Sequence, residues 1–131
     1  MVQASDTAHR DLQDALPDAI SAALSEQRVA IERRLMSGAS GDEIVEATTD
    51  LVDALIVGRY RTAARAGGES YTSTGFQHCC LVALGGYGRR ELAPHSDIDL
   101  MVLHRPEAGS IVPEFVKRVL HPLWDIGFQV G

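Results

Sequence analysis

The sequence predicts an α/β protein in which a helical pair precedes a small mixed sheet with flanking helices. Three observations carry this expectation. Two apolar stripes recur at helical spacing between residues 16 and 65, a near-continuous apolar run at 78–84 ends in Gly85-Gly86, and a second run at 97–103 alternates before turning apolar.

Residues 1–14 are polar and aperiodic, which predicts a frayed start. Pro17 sits where a first helical position tolerates it, and Leu16, Ile20, Leu24, Ile31 and Leu35 then follow a helical stripe to about Met36, where Ser37-Gly38-Ala39 ends it. Ser40-x-x-Glu43 has the form of a capping box, the serine taking a free amide of the first turn while the glutamate reaches back. The second stripe, Ile44, Val45, Thr48, Leu51, Val52, Leu55 and Ile56, predicts a helix to about Arg65, packed antiparallel on the first. Its acidic positions Asp42, Glu43, Glu46, Asp50 and Asp53 are most simply a solvated face. A Gly-, Ser- and Thr-rich loop from Ala66 to Gly75 closes this helical region, 15–75.

A second region, 76–131, opens with the 78–84 run, expected to be a strand buried on both faces. Gly85-Gly86-Tyr87-Gly88 closes it, and a short helical turn is expected around Arg89 to Leu92. The 97–103 run gives a second strand. Ile111, Val112, Phe115, Val116, Val119, Leu120, Leu123 and Trp124 predict a third helix from Ser110 to about Asp125, with Pro122 kinking its end and Trp124 as a core anchor. Phe128-Gln129-Val130 opens a further strand. Cys79 and Cys80 would point to opposite sides of a strand, which disfavours a mutual disulfide and leaves two small buried hydrophobes.

Charge narrows the function classes. With 18 Asp+Glu against 12 Lys+Arg the formal charge is -6, and no basic run offers the positive face that nucleic-acid backbones require. No apolar stretch approaches the roughly 20 residues that span a bilayer. Asp6, Asp11 and Asp14 do not fit a signal-peptide layout, so a cytoplasmic protein is expected.

The chemistry concentrates at two places. A strand ending in Gly85-Gly86 lets a triphosphate approach the backbone with no β-carbon in the way. Asp97-Ile98-Asp99 opens the second strand eleven positions after Gly86, and residues two apart in a strand share a face, so the two carboxylates converge while Ile98 turns inward. Paired carboxylates beside a phosphate loop suit Mg²⁺, which keeps several waters and bonds few carboxylates plus substrate phosphates. Nucleotidyl transfer uses one or two such ions, roughly 4 Å apart when paired, to neutralise charge on the attacking and leaving oxygens. Arg89 is either a phosphate contact or a surface partner of Glu91, and Ser96 either orients the Asp97 carboxylate or serves the turn. Tyr87 is assigned to packing. His9, His78, His95, His104 and His121 show no metal-ligand spacing.

The segment 84–100, LGGYGRRELAPHSDIDL, closely resembles the nucleotidyltransferase signature of the bacterial PII-protein uridylyltransferases, within the polymerase-beta-like superfamily. Trp124-Asp125-Ile126-Gly127 and Val130-Gly131 resemble the segment that follows it there, and the likeness is strong from about Cys80 to Gly131. The resemblance implies Mg²⁺-dependent transfer of UMP from UTP to a tyrosine of the PII signalling protein. Gly85 and Gly86 match the phosphate-loop glycines, and Asp97 and Asp99 the metal carboxylates. One departure is Arg90, where the family usually has the second glycine of Gly-Arg-Gly-Glu-Leu, which bears on the backbone geometry of that turn. A further implication is a third carboxylate on a later strand, so 76–131 is expected to be the first, truncated part of the catalytic domain. The alternatives are an adenylyltransferase of the same superfamily and a non-catalytic remnant that binds nucleotide or a partner.

Overall fold

The computed structural model describes residues 17–65 and 75–131. The expected frayed start, Leu16 of the first stripe and the loop at 66–74 lie outside these residues.

Helix α1 (Pro17–Met36) ends in a Schellman arrangement in which Ala39 N–H reaches Arg34 O at 3.0 Å and Gly38 N–H reaches Leu35 O at 3.1 Å. Helix α2 (Gly41–Arg65) starts on the predicted capping box: Ser40 N–H donates to Glu43 Oε2 at 2.8 Å and Glu43 N–H to Ser40 Oγ at 3.3 Å. These bonds hold the Glu43 carboxyl below its ordinary pKa, the Ser40 amide contributing most. The four-residue connection folds the helices into an antiparallel hairpin. Ile20, Leu24 and Ile31 share one core with Ile44, Leu51, Val52, Leu55 and Ile56. Each such side chain, fully buried, contributes about 1.5–3 kcal/mol. Leu35, predicted to join them, is 52% exposed: it lies in the last turn of α1, where the first turn of α2 offers Gly41, Asp42 and Glu43 in place of an apolar partner.

α2 buries more than its predicted stripe. Thr49, Ala54, Gly58, Ala63 and Ala64 are buried as well, because a second layer packs on the helix. That layer comes from α4 (Val112–Val119), whose Phe115 is fully buried and meets Tyr60 of α2 and Phe76 edge-on at ring distances of 5.8 and 5.2 Å.

Strand β1 (Cys79–Ala83) pairs antiparallel with β2 (Leu100–His104), from Cys79 opposite His104 to Ala83 opposite Leu100. Between them lies one short helical turn, α3 (Gly85–Gly88). The turn expected at Arg89 to Leu92 therefore forms earlier, on the glycines themselves, with Gly88 N–H bonded to Leu84 O at 2.8 Å. Beyond Asp97 a third stretch begins to pair parallel to the β2 lead-in: Ile98 N–H donates to Gln129 O at 2.8 Å, and Gly131 N–H to Ile98 O at 3.1 Å. The pairing is thus antiparallel on one side of this stretch and parallel on the other.

Among the described residues the sheet departs from expectation in being covered on one side only. Cys79, Leu81, Ala83, Leu100 and Val102 pack on the core. Cys80 is exposed, as are Leu84, Met101 and Leu103, the last three at 41%, 42% and 55%. Apolar composition alone does not say which element covers a face, so the run looked buried on both sides. Cys79 and Cys80 do point apart and are free thiols, but only Cys79 is buried, and burial pushes its thiol pKa up.

The single helix expected at 110–125 is two: α4, and α5 (His121–Asp125), separated at Leu120. Pro122 lacks the N–H that would bond back to Arg118, so the helix stops and restarts with the proline in the first turn of α5, where a missing amide costs nothing. Leu120 and Leu123 remain in the core, whereas Trp124 is 42% exposed, rests beside His121 at a ring distance of 5.0 Å and directs its indole N–H to Val130 O at 3.4 Å. The core-anchor role falls to Phe115 instead. No helix among the described residues is long and apolar enough to cross a membrane.

Candidate active site

The site is built where β1 ends and β2 begins. Leu84 N–H donates to Asp99 O at 2.9 Å, which locks the two strand ends together just before the chain turns. Gly85 then takes φ 55°, a left-handed conformation that strains any residue with a β-carbon. It is also crowded: a β-carbon at Gly85 would lie 2.9 Å from Asp99 Oδ2. From another direction, one at Gly131 would lie 3.3 Å from Asp99 Oδ1. The Asp99 carboxylate therefore rests between two glycine backbones. Gly88 is held closer still, since a β-carbon there would lie 2.6 Å from Ala83 O, so the turn is folded back against the strand it leaves.

β2 starts at Leu100, so the Asp97–Asp99 pair occupies the extended lead-in to that strand and not its interior. Burial still alternates there: Ile98 is 1% exposed, and Asp97 and Asp99 are both exposed. This alternation places the two carboxylates on the open side of the sheet, continuous with Met101 and Leu103. Gly85 and Gly86 lie at the same end. The first amides of a helical turn have no partner within it, and Gly85 and Gly86 open such a turn.

The remaining predicted residues lie nearby with other partners. Arg89 donates from Nε to Glu91 Oε2 at 3.0 Å, an ion pair about two-thirds exposed on each side. The Ser96 hydroxyl is directed to the Asp97 main-chain oxygen at 3.3 Å.

Sequence reasoning missed the support beneath the turn. Asp50 and Asp53 are solvated, their side chains 45% and 44% exposed, but both also receive the Arg90 guanidinium, Nη1 reaching Asp53 Oδ2 at 3.1 Å and Nη2 pairing with Asp50. The Tyr87 hydroxyl donates to Asp53 Oδ1 at 2.7 Å, and the buried Thr49 hydroxyl oxygen accepts the Leu92 amide at 3.2 Å. Burial and the adjacent carboxylate both push the Tyr87 phenol pKa far upward, burial being the larger cause. The available signal was spacing. Thr49, Asp50 and Asp53 lie at i, i+1 and i+4 on one side of a helix, and the chain carries an unexplained arginine in its glycine turn.

The carboxylate oxygens of Asp97 and Asp99 suit a hard divalent cation, which binds through oxygen and shares its coordination with phosphate and water. Among the described residues no group of three His, Cys, Asp or Glu side chains is placed to hold a metal ion.

Residues 25–130 match the DUF294 nucleotidyltransferase domain. The chain belongs to this nucleotidyltransferase family. It is similar to bifunctional uridylyltransferase/uridylyl-removing enzymes: that of Caulobacter vibrioides is 35% identical over 87% of this chain and 12% of the relative. That of Novosphingobium aromaticivorans is 33% identical over 89% and 15%, and that of Legionella pneumophila 47% identical over 40% and 6%. The chain thus spans under a sixth of the length of these relatives. No solved structure matches it. Nucleotidyltransferases of this kind typically use divalent metals.

Proposed function

We propose that the open end of the sheet holds the triphosphate of UTP with Mg²⁺, and that the chain serves transfer of UMP to a tyrosine of a PII protein. The observation that carries this is the Asp99 carboxylate lying against the Gly85 backbone, which brings a metal ligand and a phosphate approach to one point. The names of the relatives, which match over 87–89% of the chain, support uridylyl as the transferred group. Residues 76–131 would carry the nucleotide end and 15–75 the scaffold beneath it, in the cytoplasm where nucleoside triphosphates are found.

Each residue has a task in this scheme. Gly85 and Gly86 admit phosphate oxygens to main-chain amides that a side chain would screen. Asp97 and Asp99 cannot face a triphosphate without a cation between them, and together they would hold it. When bound, the ion neutralises charge developing on the phosphoryl oxygens. Arg89 sits at the rim in a weak exposed pair, so it can exchange Glu91 for a phosphate at little cost. Ser96 holds the Asp97 main chain.

Calorimetric titration of this chain with UTP, with and without Mg²⁺, is the first test. Binding that requires Mg²⁺ and is lost in Asp97→Asn and in Asp99→Asn is expected. Incubation with labelled UTP, Mg²⁺ and PII protein then separates transfer from binding alone. Labelling from ATP in preference to UTP favours adenylyl transfer, binding without labelling favours a nucleotide-binding role, and absence of both sinks the proposal.

A further inference from the structure

Helix α2 reaches the nucleotide turn through side chains on one face. Thr49 takes the Leu92 amide at the end of the turn while its own hydroxyl donates to Val45 O at 2.7 Å, so a buried polar group is satisfied in both capacities. Asp50 pairs only with Arg90 among the contacts described. Asp53 is different: one oxygen accepts the Tyr87 hydroxyl and the other the Arg90 guanidinium. These two partners stand on either side of Gly88, and Tyr87 directly follows Gly86 in the chain.

Arg90 explains why a hold is needed here. Its φ is 61°, in the left-handed region where glycine is at ease and arginine is not. A residue in that conformation persists only where its surroundings fix it. The guanidinium is occupied by Asp50 and Asp53, so the arginine that replaces a glycine acts as a tether for the turn and not as a second cation for phosphate.

We propose that Asp53 is a positioning residue for nucleotide binding, holding the turn from Gly85 to Leu92 in register with Asp99 through Tyr87 and Arg90. This rests on the assignment of Gly85, Gly86 and Asp99 to the triphosphate and metal. Asp53 touches neither; it sets where the turn's backbone stands.

The test compares this chain with Asp53→Ala, Asp53→Asn, Tyr87→Phe and Arg90→Ala, which keeps a β-carbon in the left-handed position while removing the guanidinium, with Asp42→Ala as a control acid on the same helix. Amide hydrogen exchange is followed peptide by peptide, and Mg²⁺-UTP affinity is measured well below the melting transition. In Asp53→Ala, exchange over 85–92 should rise about tenfold while peptides of α1 and α4 keep their protection, in line with loss of hydrogen bonds to a charged group. Affinity for Mg²⁺-UTP should fall by a similar factor. Tyr87→Phe and Arg90→Ala should each show part of the effect, and adding either to Asp53→Ala should add little. Should Asp53→Ala refuse to fold, the near-isosteric Asp53→Asn and Tyr87→Phe carry the same comparison. Unchanged exchange over 85–92, or loosening spread evenly over the chain, overturns the positioning role. If exchange behaves as expected but the unaltered chain does not bind Mg²⁺-UTP, the nucleotide assignment falls and the hold of Asp53 on the turn stands.

Discussion

Gly85 and Gly88 are glycines for different reasons, and stability measurements should tell them apart. At Gly85 an alanine would be placed in a left-handed conformation, costing about 1–2 kcal/mol, and would press on the movable Asp99 side chain. At Gly88 the obstacle is the Ala83 carbonyl, main chain that cannot swing aside, so Gly88→Ala should lower the urea midpoint more than Gly85→Ala. Gly85→Ala should instead show its larger effect on Mg²⁺-UTP binding, because Asp99 is what it displaces. Tyr87 yields a pH prediction. Its folded pKa is raised above the unfolded value of about 10, so its share of stability is intact below pH 10 and fades as pH rises toward the folded pKa, while the unfolded phenol ionises. Denaturation curves between pH 9 and 11 should show a falling midpoint that is shallower in Tyr87→Phe.

Among the elements, the helix boundaries were legible because local chemistry sets them. Ser40 and Glu43 announced the start of α2, and they give a second pH prediction: the Glu43 pKa is lowered on folding, so the contribution of the box is present above the unfolded carboxyl value and lost as pH falls through the folded one. Glu43→Ala should lower the thermal midpoint at pH 7, and its difference from the parent protein should narrow as the pH falls and the Glu43 carboxylate is protonated. What stayed illegible was set by neighbours distant in sequence. The apolar stripe of α2 gave one face, while Thr49, Ala54 and Ala63 are buried because α4 and the turn pack elsewhere on the helix. The open side of β1 and β2 could not be read from Cys80, Val82, Met101 or Leu103, whose composition would suit a covered sheet equally well. Pro122 did announce an interruption, which falls at Leu120, a single residue between α4 and α5 that keeps helical φ and ψ of -94° and -36°.

For the molecule as a whole, the candidate site was legible as a pair of motifs but not as an assembled geometry. Gly85-Gly86 and Asp97-x-Asp99 stand out in one dimension because glycine and paired carboxylates are chemically conspicuous. That Asp99 lies against Gly85 depends on the Leu84–Asp99 hydrogen bond and the antiparallel register, which spacing alone does not fix. The foundation under the turn was hidden for a related reason: Asp50 and Asp53 lie 40 and 37 positions from Arg90, and acidic helix residues usually face water.

That foundation joins the two halves of the chain by side-chain bonds and a shared core and not only by the peptide backbone. Thr49, Asp50 and Asp53 grip Leu92, Tyr87 and Arg90, while Tyr60 seats against Phe115. Two separately synthesised polypeptides, 1–70 and 71–131, should therefore recognise one another and reconstitute the domain. Mixing them should produce a one-to-one complex with cooperative melting, detectable by sedimentation and circular dichroism. Charge reversal at both Asp50 and Asp53 should weaken that association, and a matching Arg90→Glu in the other fragment should recover part of it. The acids that pair with the turn after β1 would then double as an address label by which a severed protein finds its other part.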